Sequence, residues 1–239
     1  MLSAENISIG YETGGPVFPA ISFSADAGDM VALLGVNGIG KSTLLRTASG
    51  LQKKLGGSLA YGGVQVHDIT ASKRAKLISV VLTERIFIDN ITVKDFIALG
   101  RSPYTDWMGR LSVEDEEAVE HVIFVMKIGK LQNRLFNQLS DGEKQKTLVA
   151  RALCQQTPVI ILDEPTAFLD FRNKREILDL LKSISTEMKK IILLSTHDIE
   201  AALDNCNKFW IMTEEKQFCE INASSDAREN VFKALKIQL

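Results

Sequence analysis

The sequence contains few of the residues and runs that mark specialised protein classes. It has three cysteines, Cys154, Cys206 and Cys219, an odd number without C-x-x-C spacing, which argues against a disulfide framework or a zinc site and predicts reduced thiols in a cytosol. Wholly apolar runs such as residues 159–162 are far shorter than the roughly 20 residues that cross a bilayer. No apolar stretch near the N-terminus predicts a secretory signal. We therefore expect an intracellular protein without a membrane span.

The chain also lacks an excess of charge of either sign. Its 28 basic and 30 acidic side chains leave a net charge of −2 among 239 residues, so no strongly basic surface is expected to attract nucleic acid or an anionic membrane. Hydrophobic residues make up 45% and charged residues 24% of the sequence, which is typical of a globular protein and argues against disorder. A chain of this length can bury a sizeable core.

Hydrophobic patterning predicts a mixed α/β fold. The first quarter of the chain has strand-like runs separated by turn residues, at 7–11, 20–24, 30–34 and 58–66. Later runs are continuously apolar, as strands buried on both faces of a parallel sheet require, at 77–82, 159–162, 191–194 and 209–212. Helical periodicity lies between them, at 114–127 and 173–187. This alternation indicates an α/β core with an antiparallel β patch near its start.

Two segments have less regular patterns. Residues 85–112 include Pro103, Tyr104 and Trp107 without clean periodicity. This segment is either a surface connector used for docking, since loops on a rigid scaffold often carry binding, or an ordinary loop and helix packed on the core, and the pattern does not decide between them. Residues 222–239 are polar and then amphipathic, which predicts a surface helix.

The strongest local signal is a glycine-rich loop at residues 35–43, which read Gly-Val-Asn-Gly-Ile-Gly-Lys-Ser-Thr. The loop matches G-x-x-x-x-G-K-[ST] between an apolar run and a helical segment, which is the context that this phosphate-binding motif needs. Glycines allow successive backbone N–H groups to turn towards an anion, and the helix N-terminus adds positive potential. Lys41 can reach the terminal phosphates, and the Ser42 hydroxyl can bind Mg²⁺. The alternative is a Gly-rich turn without a ligand.

Three further candidates follow predicted strands. Asp163 and Glu164 end the run at 159–162, at the carboxyl edge of the sheet where open α/β folds bind ligands. Asp163 can hold magnesium through water and Glu164 can polarise an attacking water, although a solvated acidic strand end explains them equally well in isolation. His197 follows the run at 191–194 and can contact a γ-phosphate; taken alone, a capping or surface histidine is the simpler interpretation.

A further motif, together with the phosphate loop, Asp163, Glu164 and His197, resembles the motif set of a known family. Residues 139–145, Leu-Ser-Asp-Gly-Glu-Lys-Gln, are similar to a signature usually written LSGGQ. In this order the motifs resemble those of the ATP-binding subunits of ABC transporters, over nearly the whole chain. The resemblance implies an α/β P-loop NTPase core with a mostly parallel sheet, an N-terminal antiparallel β subdomain and an α-helical signature subdomain. It implies one ABC ATPase domain over residues 1–239, with a β-rich part that carries the phosphate loop at 1–75, the helical subdomain at 85–155, the catalytic core sheet at 156–215 and a C-terminal tail at 216–239.

The resemblance also implies roles for individual residues. Tyr11 is similar to the aromatic residue that stacks on adenine. Glu164 is similar to the catalytic base, His197 to the switch histidine that holds the γ-phosphate, and residues 165–170 to the loop that links two sites across a dimer. ATP with Mg²⁺ would be wrapped by Gly35, Asn37, Gly38, Gly40, Lys41, Ser42 and Thr43. The γ-phosphate bound by a second, head-to-tail copy would be contacted by the signature residues Ser140, Asp141, Gly142 and Glu143.

Three positions depart from the family pattern. Asp141 stands where glycine is usual, and Glu143 stands where glutamine is usual. After the strand at 77–82 the family places a glutamine that touches magnesium and senses the membrane partner, and this position is Glu84 here. An ionised glutamate cannot donate a hydrogen bond and attracts Mg²⁺ more strongly. We therefore hypothesise that Glu84 contacts the metal together with Ser42 and Asp163.

The segment at residues 97–111 narrows the resemblance. This segment is similar to one found in the ATPase subunits of importers for iron-siderophore complexes, haem and cobalamin, in which a Gly-Arg-x-Pro run precedes an acidic helix. This implies a cytoplasmic ATPase on the inner face of the cell membrane, which drives uptake of a metal chelate as a homodimer bound to integral-membrane permease subunits, with a substrate-binding protein in the same system.

Alternatives to this function remain open. An ABC-type ATPase that acts on another transported substrate has the same motifs. One that acts on nucleic acid or the ribosome is disfavoured by the single phosphate loop, the lack of heptads and the net charge of −2, so no nucleic-acid partner is expected. A non-catalytic nucleotide sensor is disfavoured because Lys41, Asp163, Glu164 and His197 are all present.

Overall fold

The first part of the chain forms a small antiparallel sheet. The computed structural model describes residues 1–83 and 87–237. The strands of this sheet are β1 (Leu2–Tyr11), β2 (Gly15–Ala25), β4 (Gly56–Tyr61) and β5 (Val64–Gln65). They lie in the order β2-β1-β4-β5 with antiparallel neighbours. The sheet buries its apolar side chains against the strand and helix that carry the phosphate loop.

The centre of the molecule is a six-stranded sheet. Its strands are β3 (Met30–Leu34), β6 (Ile78–Val81), β7 (Val159–Leu162), β8 (Ile191–Ser195), β9 (Lys208–Met212) and β10 (Phe218–Asn222). The order is β10-β9-β3-β8-β7-β6, and every pair is parallel except β9 with β10. The carboxyl ends of β3, β8 and β7 therefore lie side by side at one edge of the sheet.

The helices surround this sheet. They are α1 (Lys41–Ala48), α2 (Ala71–Ala75), α3 (Val93–Ala98), α4 (Val113–Val125), α5 (Asp141–Cys154), α6 (Phe171–Met188), α7 (Ile199–Asn205) and α8 (Ala227–Ala234). Both α4 and α5 begin with a complete capping box, which satisfies backbone N–H groups of the first turn. Among the residues that the structure describes, no helix combines the length and the apolar character that a membrane crossing requires.

The central sheet is buried on both faces. Along β3, Met30, Ala32 and Leu34 pack into a cluster with residues from α3, α4, α5 and α6. Val31 and Leu33 point to the opposite face and pack with the antiparallel sheet and α1. Since alternate side chains of a strand face opposite sides, this division explains why the central strands are continuously apolar in sequence.

The predicted α/β architecture is confirmed, with local differences. The strand predicted over residues 58–66 is two strands, β4 and β5, because the chain turns at Gly62 and Gly63 between them. The sequence pattern missed β10, since this edge strand is only partly buried and has no continuous apolar run. The helix predicted near the C-terminal end is α8, which anchors through the buried side chain of Val231.

The segment at residues 85–112 has features of both alternatives that its sequence left open. Its α3 packs Val93 and Phe96 into the core, as an ordinary helix does. Beyond α3 the chain follows the surface and leaves Trp107 91% exposed and Met108 52% exposed. The first two residues of the segment, 85 and 86, lie outside the described part of the chain.

Candidate active site

The phosphate loop joins β3 to α1 through a backbone that requires glycine. Gly35 and Gly40 have φ angles of 151° and 118°, a region that other L-residues rarely occupy. A Cβ atom on Gly35 would lie 2.5 Å from the backbone oxygen of Met212, and one on Gly40 would lie 3.0 Å from a methyl carbon of Val17. Both glycines therefore allow the loop to turn and to pack closely against β9 and β2.

The N-terminus of α1 is open to an anion. Its N-cap, Gly40, offers no side-chain hydrogen bond, and its first turn contains no acidic residue. In contrast, α5 and α6 begin with side chains of Ser140 and Asp170 that accept backbone N–H groups. The N–H groups at the start of α1 are therefore available to a ligand, and the helix dipole favours a negative charge there.

Lys41 is buried at this helix start, with 7% of the residue exposed. Its Nζ donates to the backbone oxygens of Gly35 at 2.8 Å and Val36 at 3.2 Å. Burial lowers the pKa of the Lys41 ammonium, and the nearby carboxylates of Glu164 and Asp163 partly offset this effect. An ammonium group that is short of solvent gains from a neighbouring anion, so Lys41 is suited to a phosphate bound in the loop.

An open cleft of about 300 Å³ lies over the loop. Its lining includes six of the predicted loop residues, Asn37, Gly38, Gly40, Lys41, Ser42 and Thr43. Two predicted residues from distant parts of the sequence also line it: Tyr11, at the end of β1, and Glu164, just after β7. Tyr11 is 54% exposed, so its ring face is accessible to a flat, apolar group.

Asp163 and Glu164 follow β7 at the carboxyl edge of the sheet, next to the loop. Asp163 is 5% exposed, and its Oδ1 accepts a hydrogen bond of 2.6 Å from the Ser195 hydroxyl at the end of β8. The backbone oxygen of Asp163 accepts from the Thr83 hydroxyl at 2.8 Å. The bond from Ser195 orients the Asp163 carboxylate and the bond from Thr83 holds its backbone, and no residue in the described parts of the chain donates a hydrogen bond to the second carboxylate oxygen.

Glu164 and His197 contact each other. The Oε2 atom of Glu164 lies 2.8 Å from Nδ1 of His197, and the glutamate side chain is 19% exposed. Glu164 has a φ angle of 51°, an unusual conformation for a residue other than glycine that is frequent at functional sites. The geometry pairs His197 with the carboxylate of Glu164, which lines the cleft.

The residues present fit a magnesium ion. The second carboxylate oxygen of Asp163, which accepts no hydrogen bond from the described residues, and the exposed hydroxyl of Ser42 are hard oxygen donors of the kind that Mg²⁺ binds next to phosphate oxygens. Ser42 lines the cleft, and Asp163 lines the adjoining cavity that shares Glu164 with it. The third predicted metal contact, Glu84, lies outside the described residues and stays a prediction.

The signature residues 140–143 lie at the start of α5, not in the phosphate loop. Ser140 is the N-cap of α5, where its hydroxyl accepts from the Glu143 amide and Glu143 Oε2 accepts from the Ser140 amide at 2.9 Å. The hydrogen bond from that backbone amide lowers the pKa of Glu143, although burial opposes it. Gly142 packs against Asn173 of α6, where a Cβ atom would lie 2.6 Å from the Asn173 side-chain oxygen.

None of the four signature residues lines the phosphate-loop cleft. Asp141 instead lines a second cavity of about 140 Å³ between α5 and the segment after β7, which adjoins the cleft because Glu164 lines both and which Asp163 also lines. Within one copy of the chain, the four signature residues therefore do not line the cleft over the phosphate loop, although Asp141 lies at the cavity beside it.

Sequence reasoning missed two contributions to the site. The hydroxyls of Ser195 and Thr83 hold Asp163, and neither residue belongs to a recognisable motif. The capping role of Glu143 was also missed, although Ser140 followed three residues later by a glutamate is the sequence signal of a capping box.

Comparison with known proteins identifies the family. The model of the family described as ABC transporter matches residues 18–167. The chain is 39% identical over 216 residues to an uncharacterized ABC transporter ATP-binding protein of Methanocaldococcus jannaschii, which covers 90% of this chain and 74% of that protein. It is 36% identical over 190 residues to the petrobactin import ATP-binding protein FpuC of Bacillus anthracis, covering 80% of this chain and 70% of that protein.

Among solved structures, one described as a metal-chelate type ABC transporter in an inward-facing conformation superposes with a TM-score of 0.83 at 26% identity. The superposition covers 98% of this chain and 88% of that chain. The open α1 N-terminus, the Lys41 ammonium and the adjoining carboxylates agree with these matches, and the chain belongs to the ABC transporter family as an ATP-binding protein.

Proposed function

We propose that this chain is the ATP-hydrolysing subunit of an importer for a metal chelate of the iron-siderophore, haem or cobalamin type. The observation that carries the ATPase part is the cleft in which Lys41, the open α1 N-terminus and Glu164 converge. Import and the chelate class are supported by the petrobactin import relative, by the metal-chelate type structure and by the residues at 97–111.

The cleft accounts for nucleotide binding. The phosphates lie against the N–H groups of the loop and α1, and Lys41 exchanges its bonds to the Gly35 and Val36 carbonyls for phosphate oxygens. The exposed ring of Tyr11 stacks on the adenine at the mouth of the cleft. Because the helix start has no side-chain cap to displace, phosphate binding costs no intrahelical contact.

Hydrolysis depends on the groups after β7 and β8. Ser42 and Asp163 would hold the magnesium ion, which when bound would supply positive charge to offset the charge that develops on the transferred phosphoryl group. Glu164 orients and accepts a proton from the attacking water, and His197 contacts the γ-phosphate. In the described structure these two side chains bond to each other, so closure on ATP requires His197 to divide its contacts between Glu164 and phosphate.

The absence of the signature residues from the lining of the phosphate-loop cleft supports the proposal that a second copy completes the site. Ser140 caps α5 and Gly142 lies in its first turn, where the helix dipole contributes partial positive charge that the carboxylates of Asp141 and Glu143 oppose. We place this helix start over the γ-phosphate bound by the other copy, in a head-to-tail homodimer. The Glu143 carboxylate is held by the Ser140 amide and paired with Arg134, whose positive charge partly offsets it.

The exposed surface beyond α3 is the proposed contact with the permease. Trp107, Met108 and Val113 expose 91%, 52% and 69% of their area, an apolar surface of the kind that marks interaction sites. Docking there holds the subunit at the inner face of the membrane. A substrate-binding protein outside the membrane completes the proposed importer.

A complementation experiment tests the shared site. Lys41→Ala removes the phosphate-loop cation, whereas Ser140→Asp keeps a good N-cap but sets a negative charge against phosphate. Each variant alone is expected to be inactive in ATP hydrolysis. Mixed in equal amounts, they form hybrid dimers in which one of two sites combines an intact loop with an intact signature. Since half of the dimers are then hybrids, activity should return to about a quarter of that of wild type.

The controls distinguish the possible failures. Each variant mixed with wild type measures dimer exchange, and thermal melting confirms that Ser140→Asp is folded. If exchange occurs and the two-variant mixture stays inactive, the signature does not act on the partner's nucleotide. If wild type itself binds ATP but does not hydrolyse it at any protein concentration, with or without permease, the ATPase assignment is wrong.

A further inference from the structure

The hydroxyl of Ser195 bridges the two acidic residues of the site. Ser195 is the last residue of β8, and the parallel register pairs Leu194 with Leu162, so that Ser195 comes to lie beside Asp163. The side chain is completely buried. Its Oγ lies 2.6 Å from Asp163 Oδ1 and 2.8 Å from the Glu164 backbone nitrogen.

The hydrogen-bond direction in this bridge is determined. The Glu164 N–H can only donate, so Ser195 Oγ accepts from it. A hydroxyl carries a single proton, and this proton therefore points at the Asp163 carboxylate. One side chain thus uses its acceptor on one acidic residue and its donor on the other, and both bonds are within the normal range of lengths.

We propose that Ser195 is a positioning residue that sets both the metal-facing oxygen of Asp163 and the backbone of Glu164 for ATP hydrolysis. This inference rests on the proposed function. By occupying Oδ1, the hydroxyl leaves the other oxygen of Asp163 for the metal, in the cavity that Asp163 lines together with Glu164. By accepting the Glu164 N–H, it holds the left-handed turn at φ 51°, from which the Glu164 side chain reaches His197.

Removal of the hydroxyl leaves two buried groups without partners. In Ser195→Ala, Asp163 Oδ1 and the Glu164 N–H lose their bonds, and buried polar groups without partners are unfavourable. The carboxylate is then free to rotate, and the turn at Glu164 is free to relax. The phosphate loop keeps all its own contacts, because Ser195 does not line the nucleotide cleft.

The test separates metal binding, nucleotide binding and turnover. We measure Mn²⁺ affinity of the ADP complex by electron paramagnetic resonance, ADP affinity in EDTA, and kcat and KM for ATP hydrolysis. In Ser195→Ala we expect roughly 10- to 100-fold losses of Mn²⁺ affinity and kcat, as is typical when a group that orients a metal ligand is removed, with unchanged ADP affinity in EDTA and a smaller change of KM.

Three further variants make the result specific. Ser195→Cys keeps a side chain of similar shape with a much weaker hydrogen-bonding group, so it should lose as much Mn²⁺ affinity and kcat as Ser195→Ala. It serves in place of the alanine variant if that variant does not fold. Ser195→Thr keeps the hydroxyl and should restore most of the activity. Ser79→Ala removes another fully buried strand hydroxyl, one bonded to Thr157, and should match wild type.

Two results would overturn the proposal. One is Ser195→Ala and Ser195→Cys within twofold of Ser79→Ala in both Mn²⁺ affinity and kcat. The other is evidence that Ser195 has a general packing role: either ADP affinity in EDTA falls as far as Mn²⁺ affinity, or Ser195→Thr loses as much kcat as Ser195→Ala. A wild-type protein that neither binds ADP nor hydrolyses ATP would instead refute the proposed function, independently of Ser195.

Discussion

Replacement of Arg101 by alanine should destabilise the protein strongly without touching the nucleotide cleft. Arg101 lies at the end of the turn that follows α3 and pairs with Asp115 of α4 through Nε and Oδ1 at 2.8 Å, and the two side chains are 6% and 5% exposed. The guanidinium also donates to the Cys154 backbone oxygen at 2.9 Å and lies 4.0 Å from the centre of the Tyr104 ring.

The magnitude follows from the burial of the pair. Removing one partner of a buried ion pair leaves the other charge uncompensated and costs about 3–5 kcal/mol of unfolding free energy. Arg101→Ala is expected in this range by urea unfolding at neutral pH. The matched control is Arg228→Ala, which breaks the ion pair with Glu200 between side chains that are more than half exposed and should cost less than about 1 kcal/mol.

A double-mutant cycle isolates the pair. Asp115→Asn keeps an oxygen acceptor for the Ser112 cap but removes the charge, so Arg101→Met combined with Asp115→Asn should lose clearly less stability than the sum of the two single variants. Two results would show that the Arg101–Asp115 pair does not stabilise the fold as proposed. One is a loss of unfolding free energy in Arg101→Ala no larger than that in Arg228→Ala, and the other is a coupling energy below about 0.5 kcal/mol.

Three further predictions address charge, binding and docking. Burial raises the pKa of Asp115, but hydrogen bonds from Ser112 and Arg101 outweigh it and hold this pKa below its ordinary value. The ionised carboxylate therefore contributes to folding stability above the unfolded pKa of about 3.9, and this contribution is lost as pH falls further. The stability difference between wild type and Arg101→Ala should shrink in acid, and a difference that is constant with pH would contradict this. Lys41→Ala should weaken ATP binding roughly 10- to 100-fold, because a charged hydrogen-bonding group is lost, and an unchanged isotherm would exclude Lys41 from the contact. Trp107→Ala should reduce the stimulation of hydrolysis by permease several-fold and leave basal hydrolysis unchanged, whereas unchanged stimulation would place the permease contact elsewhere.

The sequence was most informative where a function depends on consecutive residues. The phosphate loop needs glycines, a lysine and a hydroxyl at fixed spacing, so residues 35–43 could be interpreted without knowledge of the fold. The continuously apolar strands likewise predicted a sheet buried on both faces. Asp163, Glu164 and His197 could be placed at one edge because parallel strands end together.

The sequence was least informative where a function depends on which strands are neighbours. Ser195 contacts Asp163 only because β8 lies between β3 and β7, and strand order is a property of the packed sheet. The Arg101–Asp115 pair has the same origin, since it requires α4 to pack beside the turn after α3. The partly buried edge strand β10 had no apolar run that could mark it.

In the proposed dimer, ATP is bound between the phosphate loop of one copy and the signature of the other. The most direct measurement is the mass of the Glu164→Gln variant by light scattering with Mg²⁺ and ATP, since this variant should bind ATP and barely hydrolyse it. We predict about twice the chain mass of 26.4 kDa with ATP, and the single-chain mass with ADP or when Ser140→Asp is added. A single-chain mass for Glu164→Gln saturated with ATP, with permease supplied as well, would contradict the account.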